Sequence, residues 1–300
     1  MKKISISIGR LQKIYGDRRA LEIAAEIGCD AVDFNLTGIF DYRREGNVYA
    51  EGDAAVEAYF SELAAHAKSL GIEVWQTHGQ IKGFVNDPAL DDALIENARL
   101  DCIATRALGA RYCVVHTTTS IHMGANPDPA LMHALNYDMF TRILPHARRE
   151  GIVIATETFG DAPQLGCCDF FGNLHEFIKG YYRVLGAPED YSDCFKVCMD
   201  TGHVHKATRF GNPSVGDAIR LLGNNIVCLH LHDNDTLTDQ HKIPFTCTID
   251  WDDTLAALDE IGYKGVYNCE VVLGKHFGPN FEIEEAAFCV KVMKNMLKDR

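Results

Sequence analysis

Short apolar segments rich in Ile and Val alternate with amphipathic stretches along the whole 300-residue chain, and this alternation narrows the possible folds most. Eight of the segments have the length and composition of buried β-strands. They are predicted at Ile4–Ile8, Ala31–Leu36, Glu73–Thr77, Tyr112–His116, Val153–Thr156, Phe195–Met199, Val227–Leu231 and Val266–Cys269. A strand followed by a helix, repeated eight times, predicts a parallel sheet whose outer face is covered by helices.

The intervening segments carry the 3.6-residue periodicity of helices that bury one face. Between residues 54 and 70, for example, Val56, Phe60 and Leu63 fall on one stripe, and residues 88–108 carry a similar stripe. Several predicted helices end at a glycine that directly precedes the next strand, which is where a residue in the left-handed conformation ends a helix. These glycines are Gly28, Gly71, Gly109, Gly151 and Gly262.

Two architectures place parallel strands among helices: the closed (β/α)8 barrel and the open doubly wound sheet. A dinucleotide-binding doubly wound sheet usually has GxGxxG after its first strand, whereas here that strand continues into GRLQKIYGD. No linker or low-complexity segment divides the chain, and its length is normal for one barrel. We therefore expect a single (β/α)8 TIM-barrel domain over residues 1–300. Two longer segments after strands, 35–53 and 160–173, are predicted to be lids or pocket walls.

Charge and cysteine content restrict the partners and the compartment. Lys and Arg number 29 against 42 Asp and Glu, a net charge of −13, so a nucleic-acid partner is not expected. The N-terminus lacks the apolar stretch of roughly 7–15 residues of a signal peptide, and no window approaches the roughly 18 apolar residues of a membrane span. Eleven cysteines, mostly within apolar segments, indicate reduced thiols. We expect a cytoplasmic protein with no membrane partner.

Ionisable side chains collect at the ends of six consecutive predicted strands. Acidic residues and histidines number 42 and 13, fewer than one residue in five. The residues at these strand ends are His78, His116, Glu157, Asp200 followed by His203, His230 with His232, and Glu270. In a barrel the ends converge on the face where active sites lie. Burying so many ionisable groups together is costly unless a divalent cation compensates, so we predict a shared metal site there.

Each of these residues also has a purely structural interpretation. A glutamate at a strand end can pair with an arginine, and a histidine can be a hydrogen-bonded core residue. Asp200 precedes Thr-Gly and would serve well as the N-cap of the next helix. His230 and His232 are two residues apart, so they point to the same face at different depths and are not expected to bind one ion equally.

The order of these motifs resembles the xylose-isomerase-like TIM-barrel superfamily, which includes ketose 3-epimerases, hydroxypyruvate isomerase, inosose dehydratase and endonuclease IV. The resemblance spans the chain and rests on Glu157 in TETF, Asp200-Thr-Gly-His203, His230-Leu-His-Asp233, Asp239-Gln-His241 and Glu270. It implies a metal quartet of Glu157, Asp200, His230 and Glu270. The family's metal histidine usually stands three residues before an acidic residue, which selects His230 over His232.

The resemblance also implies roles for the other histidines. His203 matches a histidine that contacts substrate in the isomerases, and His232 is expected to bind a substrate oxygen as well. His78, His116 and His241 match positions that bind additional zinc in the endonuclease branch. They either form further metal sites or shape the substrate pocket, and we favour the pocket.

The implied activity is isomerisation or epimerisation of a sugar or sugar-derived hydroxy-ketone through an ene-diolate, with Glu157 and Glu270 as acid and base. Three carboxylates and one imidazole favour one divalent ion, Mn²⁺ first, with Zn²⁺, Mg²⁺ and Co²⁺ also suitable. One alternative is an inosose-type dehydratase with the same quartet. A less favoured alternative is an endonuclease IV-like phosphodiesterase with several zinc ions. The particular sugar does not follow from the sequence, and a homodimer is compatible with it.

Overall fold

Eight parallel strands form the centre of the structure, a computed structural model that describes residues 2–275, 277–298 and 300. The barrel strands are β1 (Ile4–Ser7), β2 (Ala31–Asn35), β3 (Glu73–His78), β4 (Tyr112–His116), β5 (Val153–Glu157), β8 (Phe195–Asp200), β9 (Ile226–His230) and β10 (Tyr267–Cys269). Two short strands, β6 (Asp161–Ala162) and β7 (Cys167–Cys168), form a separate antiparallel hairpin after β5. Every predicted barrel strand is confirmed, with ends that differ by no more than one residue.

The barrel closes between β9 and β10, the two strands at the ends of the hydrogen-bonded order. The strands are hydrogen bonded in the order β10-β1-β2-β3-β4-β5-β8-β9. A parallel bridge between Leu231 and Cys269 joins the two ends, where the Leu231 N–H donates to the Asn268 carbonyl at 2.8 Å. The Glu270 N–H in turn donates to the Leu231 carbonyl at 3.0 Å. The ends of all eight strands therefore surround one mouth, as the predicted TIM barrel requires.

Among the residues that the structure describes, ten helices follow the strands and cover the outside of the barrel. They are α1 (Gly9–Tyr15), α2 (Asp17–Glu26), α3 (Asp53–Ser69), α4 (Pro88–Ala107), α5 (Pro129–Glu150), α6 (Leu174–Leu185), α7 (Thr201–Ala207), α8 (Val215–Leu222), α9 (Trp251–Glu260) and α10 (Glu282–Met296). The five glycines predicted to end helices all have φ between 67° and 84°. Within the described part of the chain, we find no helix whose length and apolar character would let it traverse a bilayer.

Small side chains fill the barrel interior below the mouth. Val114, Ala155, Cys198 and Cys228 come from four neighbouring strands and form one fully buried cluster. Each stands two residues before an ionisable residue at the end of its strand, so both members of each pair point inward. The eleven cysteines are all free thiols, as expected.

Of the two segments predicted to border the pocket, 160–173 forms the more extensive wall. It carries the β6–β7 hairpin, and its two ends touch, because a Cβ on Gly172 would lie 1.7 Å from the Gly160 carbonyl oxygen. The other segment, 35–53, packs mainly on α3: the rings of Phe40 and Tyr49 stack 5.4 Å apart and both meet Phe60.

Gly172→Ala should therefore lower the free energy of unfolding by about 1–3 kcal/mol, because the added methyl group can be accommodated only by separating the two ends of the segment. Urea denaturation measures the change. Gly186→Ala is the matched control: Gly186 has φ −81° and an added Cβ would have no neighbour closer than 3.4 Å. This variant should stay within about 0.5 kcal/mol of the wild type. Equal stability of both variants would show that the ends are not tightly packed.

Candidate metal centre

A pocket of about 860 Å³ opens at the carboxyl ends of the barrel strands. Its volume is that of a small-molecule site. Six of the residues predicted from the sequence line it, namely His78, His116, Glu157, His203, His241 and Glu270. Gly160, Asp161, Pro163 and Gln164 form part of its wall, which confirms the segment 160–173 as a pocket wall.

The predicted metal quartet converges at the floor of this pocket. Glu157, Asp200, His230 and Glu270 each offer a ligand atom, and these atoms all lie within 4.8 Å of one another. Oxygens of Glu270, Glu157 and Asp200 lie 3.3, 3.4 and 3.9 Å from Nδ1 of His230. Strand register contributes to this arrangement, because Asp200 and His230 are direct partners across β8 and β9.

The quartet has the environment that a divalent cation requires. Both carboxylate oxygens of Glu157 and Nδ1 of His230 are buried and form no hydrogen bond to any described residue. Buried polar atoms without partners are costly, and a cation between them would contact all three. Three carboxylates and one imidazole also match the oxygen-rich ligand sets that Mn²⁺, Mg²⁺ and Co²⁺ prefer. The residues present therefore fit a divalent ion.

The histidines around the quartet keep its carboxylates ionised. Burial alone would favour the neutral acid, but the neighbouring His203 and the hydrogen bond with His232 outweigh it and lower the pKa of Asp200 to about 2. The pKa of Glu157 is likewise held well below its ordinary value, despite burial, by His116 and His230. Anionic oxygens ready to bind a cation are therefore present at neutral pH.

Asp33 in β2 is a functional residue that the sequence interpretation missed. Its Oδ2 accepts a hydrogen bond from Nε2 of His230 at 3.1 Å, so the other ring nitrogen, Nδ1, faces the quartet and would bind an ion once its proton is displaced. Asp33 is itself fixed by Ser7 Oγ at 2.9 Å and Asn268 Nδ2 at 3.3 Å. The available signal was a charged residue between the apolar Val32 and Phe34 in the middle of the strand AVDFN.

Three histidines surround Glu157 and also line the pocket. His116 Nε2 lies 2.9 Å from Oε2 of Glu157, and His78 Nε2 lies 3.5 Å from the same oxygen. His203 Nδ1 lies 3.2 Å from Oε1. The structure thus brings these predicted substrate contacts together around one of the two candidate catalytic glutamates.

A second group of four possible ligands lies beside the quartet: His203, His232, Asp239 and His241. Oδ2 of Asp239 lies 3.6 Å from Nε2 of His203 and accepts a hydrogen bond from Nε2 of His241 at 3.2 Å. Nδ1 of His241 donates to the Glu270 carbonyl at 3.1 Å, so both its ring nitrogens face acceptors. Although burial opposes protonation, Asp239 raises the pKa of His241 to about 9.

His232 lies in a different place from the one expected of a substrate ligand. It is fully buried and is not among the described residues that line the pocket. Its Nε2 lies 3.0 Å from Oδ1 of Asp200, and its ring stacks on His241 with 3.8 Å between centroids. This placement corrects the expectation: His232 supports the carboxylate of Asp200 and has its other face covered by His241, which leaves no path to a substrate.

The chain is similar to known proteins in sequence pattern and in fold. The family described as Xylose isomerase-like TIM barrel matches residues 21–291. A crystal structure of D-psicose 3-epimerase in the presence of D-fructose is 17% identical, with a TM-score of 0.71 over 98% of this chain and 99% of that chain. A crystal structure of the IolI protein with a bound zinc atom is also 17% identical, with a TM-score of 0.72 over 99% and 97%. At these identities the likeness is one of fold.

One curated relative also matches in sequence. It is an uncharacterized protein, y4fM, of Sinorhizobium fredii, which is 26% identical over 185 residues. The match covers 61% of this chain and 53% of the relative, so the chain spans about half the length of that protein.

Asp33→Asn should weaken Mn²⁺ binding ten- to a hundredfold, because His230 loses the carboxylate that fixes its ring orientation and tautomer. Competition with a fluorescent chelator measures the affinity. Asp30→Asn is the matched control, since Asp30 Oδ2 accepts from the Ile4 N–H at the opposite end of the barrel. Its metal affinity should be unchanged. An Asp33 variant that binds Mn²⁺ like the wild type would remove Asp33 from the site.

Proposed function

The chain belongs to the xylose isomerase-like TIM-barrel family, and we propose that it is a divalent-metal-dependent isomerase or epimerase of a sugar or sugar-derived hydroxy-ketone. The proposal rests on one observation: four side chains are arranged to bind a divalent cation, and two of them, Glu157 and Glu270, also line the pocket. The fold relatives described as D-psicose 3-epimerase and as a zinc-bound protein support the substrate class and the need for a metal.

Glu157 and Glu270 are the proposed base and acid. They stand at the ends of β5 and β10, three strands apart around the closed barrel, and so approach a bound molecule from different sides. One carboxylate removes the proton from the carbon beside the carbonyl, and the other returns a proton to the resulting ene-diolate. A bound divalent ion would polarise the carbonyl and the neighbouring hydroxyl and so lower the cost of this transfer.

The histidines at the pocket supply the remaining contacts in this proposal. His203 stands between Glu157 and Asp239, with Nδ1 toward the first and Nε2 toward the second, and is placed to hold a substrate oxygen beside the reacting carbon. His78 and His116 lie against the carboxylate of Glu157 and border the same space. His241, charged and held by Asp239, adds a positive wall that favours electron-rich oxygens.

A phosphodiesterase with several zinc ions is the second candidate, and the group His203, His232, Asp239 and His241 is the observation that favours it. Two contacts favour a site that binds a single metal ion. Both ring nitrogens of His241 already face acceptors, which leaves no lone pair for an ion. The ammonium of Lys206 lies 3.9 Å from Oδ1 of Asp239 and would repel a second cation there.

Glu157→Gln and Glu270→Gln should each abolish exchange of the substrate α-proton with solvent, because an amide neither accepts nor returns that proton. Proton NMR of ketohexoses in D₂O with Mn²⁺ follows the exchange. Glu176→Gln, on α6 and paired with His133, is the control and should exchange like the wild type. Exchange that persists in either active-site variant rejects the assignment. A product that has one water less than the substrate would instead identify the inosose-type dehydratase.

Metal content separates the two candidate functions. After removal of metal and reloading with Mn²⁺ or Zn²⁺, plasma mass spectrometry should find about one ion per chain, since one fitted quartet is present. Asp200→Asn should lose that ion, whereas Asp239→Asn should keep it. About three ions per chain in the wild type, with fewer in the Asp239 variant, would establish the multi-zinc enzyme instead.

A further inference from the structure

Three cations line the outer part of the pocket, in the segments that follow β1 and β3. Arg10 and Lys13 belong to α1, and Lys82 lies in the segment 79–87 between β3 and α4. We call these three residues the cationic rim. All three are exposed, whereas three of the four quartet residues are buried at the floor of the same pocket. A ligand that extends from the quartet to the mouth of the pocket can therefore end at the rim.

The acidic side chains of the pocket lie beside nitrogen atoms of other side chains. Five carboxylates are among the described residues that line it, and a histidine or lysine nitrogen lies within 3.3 Å of each: Asp33, Glu157, Asp161, Asp239 and Glu270. By contrast, the ammonium groups of Lys13 and Lys82 have no ion pair or hydrogen bond with any described residue. The rim is therefore locally positive, although the chain carries a net charge of −13.

The segment that carries Lys82 is fixed on both sides of this residue. Before it, the Gly79 N–H donates to the Val114 carbonyl at 2.8 Å. After it, Gly83 packs so closely on the segment after β4 that a Cβ there would lie 2.4 Å from Cα of Thr118. Lys82 itself is exposed between these anchored residues. A firmly held backbone therefore presents its side chain to the pocket.

Helix α1 is fixed in a similar way. The side chain of Gln12 exchanges two hydrogen bonds with the backbone of Asn35, at 2.9 and 3.2 Å, and thereby joins α1 to the end of β2. Arg10 and Lys13 are three residues apart and so are neighbours on one face of the helix, where like charges repel. One nitrogen of Arg10 pairs with Glu282 at 3.1 Å. An anion beside both cations would relieve the repulsion that remains.

The side chains of the rim match an anionic group. A guanidinium presents a fork of N–H donors to two oxygens of a phosphate or carboxylate, and an ammonium binds such oxygens as a point charge. A contact between two ionised groups is stronger than a contact with a neutral hydroxyl, so an anion gains more at the rim than an uncharged sugar does. A pocket edge of one sign also raises the local concentration of oppositely charged ligands.

We propose that Arg10, Lys13 and Lys82 form an anion-binding subsite for the far end of the substrate, which carries a phosphate or carboxylate group. The inference rests on the proposed function for the identity of the end that reacts at the quartet. The subsite itself requires only that an anionic sugar derivative binds, whether or not it reacts.

Isothermal titration of the Mn²⁺-loaded protein with D-fructose, D-fructose 6-phosphate and D-fructuronate tests the subsite. At least one of the two anionic ketoses should bind about tenfold or more tightly than D-fructose, the value of a hydrogen bond to a charged group. This preference should shrink between about 50 and about 500 mM NaCl, because salt screens exposed charges. The tighter of the two anionic ketoses tells a phosphate subsite from a carboxylate subsite.

A pair of double variants assigns the preference to the rim. Lys13→Gln/Lys82→Gln should lose most of it, while binding of D-fructose stays within about twofold of the wild type. Lys68→Gln/Lys264→Gln is the matched control and should keep it: both lysines are exposed, neither is among the described residues that line the pocket, and the change in net charge is the same. Substitutions at exposed positions leave folding nearly unchanged. Phosphate bound directly to Mn²⁺ would bind both double variants alike.

Three results would each overturn the subsite: D-fructose binds at least as tightly as both anionic ketoses, neither anionic ketose binds, or the two double variants show the same preference. An anionic ketose that binds through the rim without exchange of its α-proton would support the subsite and reject only the isomerase. Exchange without any preference for the anionic ketoses would support the isomerase and reject the subsite.

Discussion

Three carboxylates gathered around one imidazole nitrogen are the constraint on which the rest of this structure depends. Oxygens of Glu157, Asp200 and Glu270 lie within 4 Å of Nδ1 of His230, in a region where two of the three acids are almost fully buried. Like charges at such distances repel and would drive at least one acid to protonate in isolation. A closed barrel with rigid strand ends holds them together, and surrounding histidines supply the compensating charge.

Contacts with neighbouring side chains and backbone fix the orientation of two members of the quartet, His230 and Asp200. Asp33 fixes the ring of His230. The His203 N–H donates to the carboxylate of Asp200, and Nε2 of His232 lies against the same carboxylate. The hydrogen bond from the His203 N–H is also the N-cap of α7, which confirms the structural interpretation of Asp200. Ligands whose own orientation is fixed in this way lose little freedom when an ion or a substrate binds.

Much of this could be predicted from the sequence because the decisive signals were local. Apolar segments, helical stripes and terminal glycines located every barrel strand, and a closed barrel necessarily brings strand ends such as Glu157 and Glu270 to one mouth. Asp33 was missed because its role depends on a contact across the barrel with His230, 197 residues away. The residue pattern within β2 alone does not reveal that partner.

The other differences between the predicted site and the observed site arise in loops, where sequence periodicity carries no information. Side-chain parity correctly separated His230 from His232, but the stacking of His232 under His241 depends on how the segment after β9 folds back. The pairing of Lys206 with Asp161 likewise exists only because the β6–β7 hairpin folds over α7. Such contacts decide which side chains reach the pocket, so they bear on specificity more than on the fold.

The central claim is that one divalent ion binds among Glu157, Asp200, His230 and Glu270. A crystal structure of the Mn²⁺-loaded protein, with anomalous diffraction recorded at the manganese absorption edge, locates bound ions directly. We expect a single anomalous peak in contact with all four side chains, with His230 bound through Nδ1 and its Nε2 still donating to Asp33. A peak among His203, Asp239 and His241 with none at the quartet would contradict the account.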